Sequence, residues 1–338
     1  AQFTGSLSGV FIYNFLVKKS GFVSGILVGL FSISCGALAL NANSWLACAT
    51  GFFLIGIGTG TTLPGINMMV AELNPLRTAA ALTVLNFFWG VGAILSQPFA
   101  AVLTREASIV LPTSVLAGAA ALIAVSLFPA APRTEPKRIR NENDESETPP
   151  AIWKSPVAWM IAVFNFLHVG LESGVGGWLT TYSARFTIGE GANQWLSATP
   201  VYFFLFIVGR GVAPLSFRFL NENRFLLVSL AVVAGGIVLI ILAESYALLL
   251  IGAGVLGFGC SAIFPTNMAR FTGIFGPTAT RDATPIFILG SLGGAFTTWL
   301  IGYVSNYFEN LRAGIFVLLA SSLILIGLQI AIGRARKG

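Results

Sequence analysis

The sequence predicts an all-α membrane protein: two helical bundles related by a parallel internal repeat, with eleven transmembrane helices visible. Three observations carry that prediction. Of the 338 residues, 55% are hydrophobic and only 9% charged, with a mean hydropathy of +0.83. Soluble domains average about 25% charged residues, so this chain cannot clothe a water-exposed surface. Apolar runs long enough to cross about 30 Å of hydrocarbon recur along its length. Finally, GIGTGTTLP and GFGCSAIFP place Gly56, Gly58 and Pro64 each 201 residues before Gly257, Gly259 and Pro265, and Gly92 stands 201 before Gly293. A constant offset across two helices and a loop is the mark of a parallel repeat.

The spans follow in order at 3–17, 22–41, 45–71, 78–103, 110–130, 155–184, 193–217, 225–243, 246–272, 283–307 and 313–333. Several exceed the minimum length, which predicts tilt. Glycine (38) and phenylalanine (28) are abundant, as expected of helices that pack closely and also face lipid. The stretch PRTEPKRIRNENDESETPP is charged, rich in proline and free of apolar periodicity. It divides the chain into a bundle at 1–130, a linker at 131–152 and a second bundle at 153–338. Shifting the sixth span back by 201 leads upstream of residue 1. The repeat is therefore read as six plus six, with the first of twelve helices missing from this chain; a natural eleven-helix protein is the rival reading.

Basic residues set the orientation. Fifteen of the nineteen fall in one set of alternating loops and at the C-terminus, among them Lys18, Lys19, Arg77, Arg218, Arg270 and Arg281. Only Arg105, Arg185 and Arg312 occupy the opposite set, and Arg210 lies within a span. The prediction is a multi-pass protein of the cell (inner) membrane, with linker and C-terminus cytoplasmic and residue 1 on the outer side. The net charge of +6 does not indicate nucleic acid, because the cations are scattered in short loops. Three cysteines, each in an apolar run, exclude a disulfide scaffold.

Two six-helix repeats joined by a charged cytoplasmic linker resemble the major facilitator superfamily. Within it, GIGTGTTLPGINMMVAELNP (56–75) with LNFFWGVGAIL (85–95), FLHVGLESGVGGWLTTY (166–182) and GFGCSAIFPTNMARF (257–271) are similar to the fucose–galactose–glucose proton symporter branch. The pattern Val169-Gly170-x-Glu172, then Gly177-Trp178-x-x-x-Tyr182, matches that branch's seventh helix, and Gly209-Arg210 its eighth. The resemblance implies sugar transport by alternating access, coupled to protons. Two departures stand out: the loop motif is reduced to Lys18-Lys19-Ser20-Gly21 without its acid, and Leu63 occupies the place of a proton-linked Glu.

Of the thirteen acidic residues only Glu172 lies deep in a span, about 25 Å from its start. A carboxylate there is costly and marks a functional site by default. Asn165, the sole histidine His168, and Glu172 fall on one helical face, a polar stripe that cannot face lipid. Glu172 with His168 is the candidate coupling pair, sharing a proton or holding a cation; the rival is a hydrogen-bonded pair that locks the helix. Asn86, Trp89, Asn165, His168, Asn67, Asn267 and Tyr202 are candidate substrate-binding residues, with Gln97 a weaker one. Amides bind hydroxyls bidentately and an indole stacks on a pyranose face, although such amides also serve as interhelical glue. Trp178 and Tyr182 are candidate gate residues or interfacial anchors. Arg210 is read as structural, snorkelling to the cytoplasmic interface. With no other cation in mid-membrane, a charged anionic solute is not expected.

The function that follows is secondary transport of a small neutral polyhydroxylated solute, a sugar, with a proton or sodium ion as partner and the bilayer as solvent. The protein is expected to be monomeric and to need no cofactor. The alternatives are an efflux carrier for amphipathic compounds and a non-transporting facilitator-like scaffold. No HExxH, no Ser/His pairing at a helix break and no metal-ligand spacing is present, so an enzyme is not expected.

Overall fold

The computed structural model describes residues 1–42, 44–103, 108–130, 152–186 and 198–335. The linker at 131–152, but for Ile152, lies outside the described residues, as do 193–197 of the seventh span and the side chain of Gln97. Among the described residues every regular element is helical. The α-helices are α1 (Gln2–Ala39), α2 (Trp45–Leu73), α3 (Thr78–Leu103), α4 (Val110–Leu127), α5 (Pro156–Ser183), α6 (Ala198–Ser216), α7 (Glu222–Ile241), α8 (Tyr246–Cys260), α9 (Ile263–Phe275), α10 (Thr284–Tyr307) and α11 (Leu311–Ala335). Nine helical stretches there are long and apolar enough to cross a membrane, α8 and α9 counting together as one.

The first two predicted spans both lie in α1, which breaks at Gly21 (φ 81°, ψ 177°). Only glycine reaches that conformation without steric cost. The chain reverses there. A side chain at Gly25 would meet the Tyr13 ring at 3.5 Å, whereas a straight helix would hold the two about 18 Å apart.

The ninth span was expected as one helix, but it is interrupted at Ser261 and Ala262, between α8 and α9. Pro265 supplies the reason. It has no N–H to donate to the carbonyl of residue 261, so the helical ladder fails at that rung. This freed carbonyl reappears in the site below.

Glycines spaced by the repeat make matching close approaches. Gly56 and Gly60 lie against the backbone of Gln2 and Ser6 in α1, and Gly257 lies against that of Tyr202 in α6. Gly58 packs on Gly29 and Ile33, and Gly259 on Val232 and Val233 in α7. A Cβ at any of these positions would collide with a neighbouring helix, which is why membrane helices place small residues at such faces. The fourth pair differs: Gly293 sits against the Phe166 backbone, while the flank of Gly92 is open.

The described residues form two compact units. Unit 1 comprises Ala1–Leu73, Ser96–Ser155 and Phe275–Ile288; unit 2 comprises Asn74–Leu95, Pro156–Ile274 and Leu289–Gly338. Within unit 1, the 3-10 turn Pro277–Asp282 is tied to helix ends by Lys18–Asp282 (3.0 Å) and Arg281–Glu72 (3.5 Å) ion pairs. Thr280 also donates to Glu72, and the Trp153 indole to the Asp282 carbonyl.

Candidate functional site

The polar stripe of α5 is buried within unit 2. Asn165 and His168 are sealed, and Glu172, one turn on, is 22% exposed. The His168 Nε2 lies 3.6 Å from Glu172 Oε2, too far for a hydrogen bond, and that nitrogen makes none among the described residues. The spacing of four residues on one helix face accounts for this approach.

The structure adds a member that sequence reasoning assigned elsewhere. Arg210 of α6 does not snorkel to an interface: its side chain is 3% exposed and Nη2 lies 3.8 Å from Glu172 Oε1. Its Nε donates to the Ser261 carbonyl (2.8 Å) and its Nη1 to the Asn86 carbonyl (2.7 Å). The guanidinium also stands over the rings of Phe206 (4.1 Å) and Trp89 (5.4 Å). The physical reason for the correction is that acceptors were available nearby. The carbonyl released by Pro265 receives a donor that would otherwise have to reach water, and the Glu172 carboxylate faces the charge across 3.8 Å. Measuring distance along a helix could not reveal them. The signal was nevertheless in the sequence, since a proline in a span predicts an orphaned carbonyl four residues earlier.

Helices α3, α5, α6 and the α8–α9 break thus converge on one charge cluster. Asn86 is buried, its side-chain amide donating to the Leu82 carbonyl (2.8 Å), so its backbone oxygen meets Arg210. Trp89, one turn on, is 53% exposed and offers an open aromatic surface beside the charges. Tyr202 is fully buried, stacked on Phe206 at 5.7 Å, with its hydroxyl beside the Cys260 thiol. Glu172, His168, Asn86, Trp89 and, through Phe206, Tyr202 are therefore brought together.

The remaining candidates lie apart. Asn67 of α2, in unit 1, donates to Leu63 of its own helix (2.8 Å). Asn267 of α9 donates to the Ile161 carbonyl (3.3 Å) and accepts from Arg270. Arg270 was counted among the loop cations; it lies inside α9 and is 0% exposed, bonded to Gln329 and stacked at 4.9 Å on Phe164. Its amide acceptors let a cation stand where loop arithmetic would not place one. The Trp178 indole donates to the Thr298 carbonyl (3.0 Å), and the buried Tyr182 hydroxyl to that of Ile240 (3.4 Å). A cavity of about 800 Å³ also occurs in unit 2, but none of these candidates lines it.

The family description Major Facilitator Superfamily matches residues 1–284. The chain belongs to the major facilitator superfamily. It is 23% identical to the sodium-dependent glucose transporter 1 of Xenopus laevis, over 91% of this chain and 71% of that protein. It is 26% identical to the glucose/mannose transporter GlcP of Bacillus subtilis, over 99% of this chain and 84% of that one. Among solved structures, FucP in its outward conformation superposes with a TM-score of 0.79 at 18% identity, covering 98% of this chain and 87% of FucP. The human organic anion transporter MFSD10 gives a TM-score of 0.72 at 16% identity, covering 97% and 80%. The protein is a multi-pass membrane transporter by family and fold.

Proposed function

We propose that this facilitator moves a sugar or similar neutral polyhydroxylated solute by alternating access, and that Glu172 couples the movement to an ion. The observation that carries the proposal is the half-open charge cluster. A carboxylate that is 22% exposed stands between a sealed arginine and a sealed histidine, beside an exposed indole. An ionised carboxylate accepts sugar hydroxyls strongly, and an aromatic face complements the C–H face of a pyranose. The names of the relatives support the substrate class: glucose, glucose/mannose and fucose carriers. One relative is a sodium-dependent carrier and FucP is a fucose:proton symporter, which supports sodium or a proton as the coupling ion.

The carrier is read as monomeric in the inner membrane, with linker and C-terminus cytoplasmic. The finer count of eleven spans in a six-plus-six repeat belongs to the same proposal and is supported by the chain reversal at Gly21. Trp178 and Tyr182 keep their reading as gate-side aromatics.

A second reading rests on Arg210. The sequence argument against anions assumed no cation in mid-span, and Arg210 is one. Should Glu172 release it, the guanidinium would accept a carboxylate, as suits an organic anion carrier. The test is uptake into proteoliposomes of labelled glucose, fucose and mannose beside labelled lactate and benzoate, under imposed proton or sodium gradients. Accumulation of a hexose driven by one gradient supports the proposal. Transport of the anions alone replaces it with the second reading, and transport of none sinks the carrier assignment in favour of a scaffold.

A further inference from the structure

At the end of unit 2 where α3 and α7 begin, the loops Pro75–Thr78 and Phe217–Asn223, with Ala269 and Gly273 of α9, wall the cavity of about 800 Å³. The transport site uses none of these residues. Arg77 and Arg218 both line it, both are exposed, and neither forms an ion pair among the described residues. Two guanidiniums without an ion-pair partner on one cavity wall leave its positive charge unbalanced, which an anion would offset.

Three further features converge there. Thr78, Ala79 and Ala80, the opening residues of α3, line the cavity and bring a helix N-terminus whose first amides lack intrahelical acceptors. The opening of α7 lies on the same cavity. Its wall is braced from behind, since Gln329 donates to Asn223 while accepting from the sealed Arg270. Beside the charges Leu76, in the lining, is 97% exposed, and Phe219, next to Arg218 in the chain, is 86% exposed. Only Glu222, also in the lining, opposes negative charge.

We propose that this cavity binds a phosphate group, held by Arg77, Arg218 and the α3 N-terminus. A planar guanidinium presents paired donors that match phosphate oxygens. Phosphate reaches such a place either on an anionic phospholipid, whose acyl chains would cover Leu76 and Phe219, or as a free phosphate. Basic pockets between membrane helices are established headgroup sites in general.

The experiment compares the wild type with Arg77→Gln, Arg218→Gln and the double variant. Each is reconstituted in nanodiscs of phosphatidylcholine with or without phosphatidylglycerol, then extracted, and retained lipid is counted by native mass spectrometry. In parallel, the detergent-purified protein is titrated with inorganic phosphate while its melting temperature is followed. The wild type should retain phosphatidylglycerol over phosphatidylcholine, with retention about fivefold weaker in each single variant and about thirtyfold weaker in the double one. Glu222→Gln should strengthen it. If phosphate raises the melting temperature of the wild type but not the variants while lipid retention is equal, the ligand is a free phosphate. The proposal is overturned if neither probe separates wild type from the arginine variants. The single variants carry the test should the double one not fold, and sugar uptake in pure phosphatidylcholine should be unchanged in all of them.

Discussion

Arg210 and Arg270 are both buried in unit 2, yet their surroundings differ in kind. Arg270 is enclosed by neutral groups, the oxygens of Asn267 and Gln329 and the ring of Phe164, and is 0% exposed. Arg210 is enclosed by two carbonyls and two rings but also faces a carboxylate, and that carboxylate is 22% exposed. A charge at the centre of a span costs about 2.5–3.5 kcal/mol on insertion scales, and less toward its ends, where Arg270 lies. Neutral acceptors that never change offset it once and permanently, which is what a structural brace needs. A partly exposed carboxylate would offset it conditionally, since anything that binds or protonates Glu172 alters what Arg210 feels. Under the proposed function Arg270 belongs to a brace and Arg210 to a device.

The largest expected effect tests the device. Glu172→Gln should reduce gradient-driven sugar accumulation to equilibrium while sparing exchange, because exchange needs the binding site but no net ion movement. Uptake and counterflow assays on one preparation decide it, and normal accumulation would make Glu172 a second brace. Next in size is stability. Arg210→Met strands Glu172 and should cost about 3–5 kcal/mol, much of it recovered in the Arg210→Met/Glu172→Gln double variant. Thermal unfolding of the four proteins gives the coupling directly, and simple additivity would contradict the pairing.

Arg270→Met sharpens the contrast from the other side. It should lower stability by about 1–3 kcal/mol through the unsatisfied amides of Asn267 and Gln329, yet leave the sugar KM unchanged; a raised KM would bring Arg270 into the site. Trp89→Ala is expected to raise KM by about fivefold, the worth of one stacking surface at roughly 1 kcal/mol, with kcat little altered. Smallest is His168→Gln, which should leave exchange within about twofold, an effect of under roughly 0.5 kcal/mol. It should move the pH at which accumulation is half-maximal, and an unmoved profile removes His168 from the coupling pair.

What the sequence determined by itself was one-dimensional. Hydropathy marked the spans to within a few residues, as for α2, α3 and α10, because the bilayer imposes a length that any helix must meet. The 201-residue offset picked out glycines whose contacts match at Gly56 and Gly257 and at Gly58 and Gly259, though not at Gly92 and Gly293, because a Cβ at Gly56 or Gly257 would strike backbone whatever else surrounds it. Glu172 and His168 were legible as neighbours because helical periodicity is local. The structure decided what depends on other helices: that α9 starts afresh after Ser261, that Arg210 turns to the carbonyl freed by Pro265, and that Arg270 is sealed rather than in a loop. Span counting treats every cation as seeking water. Inside a bundle a guanidinium goes to whichever acceptors lie within reach, and the carbonyls that Arg210 finds belong to residues 51 and 124 positions away in the chain.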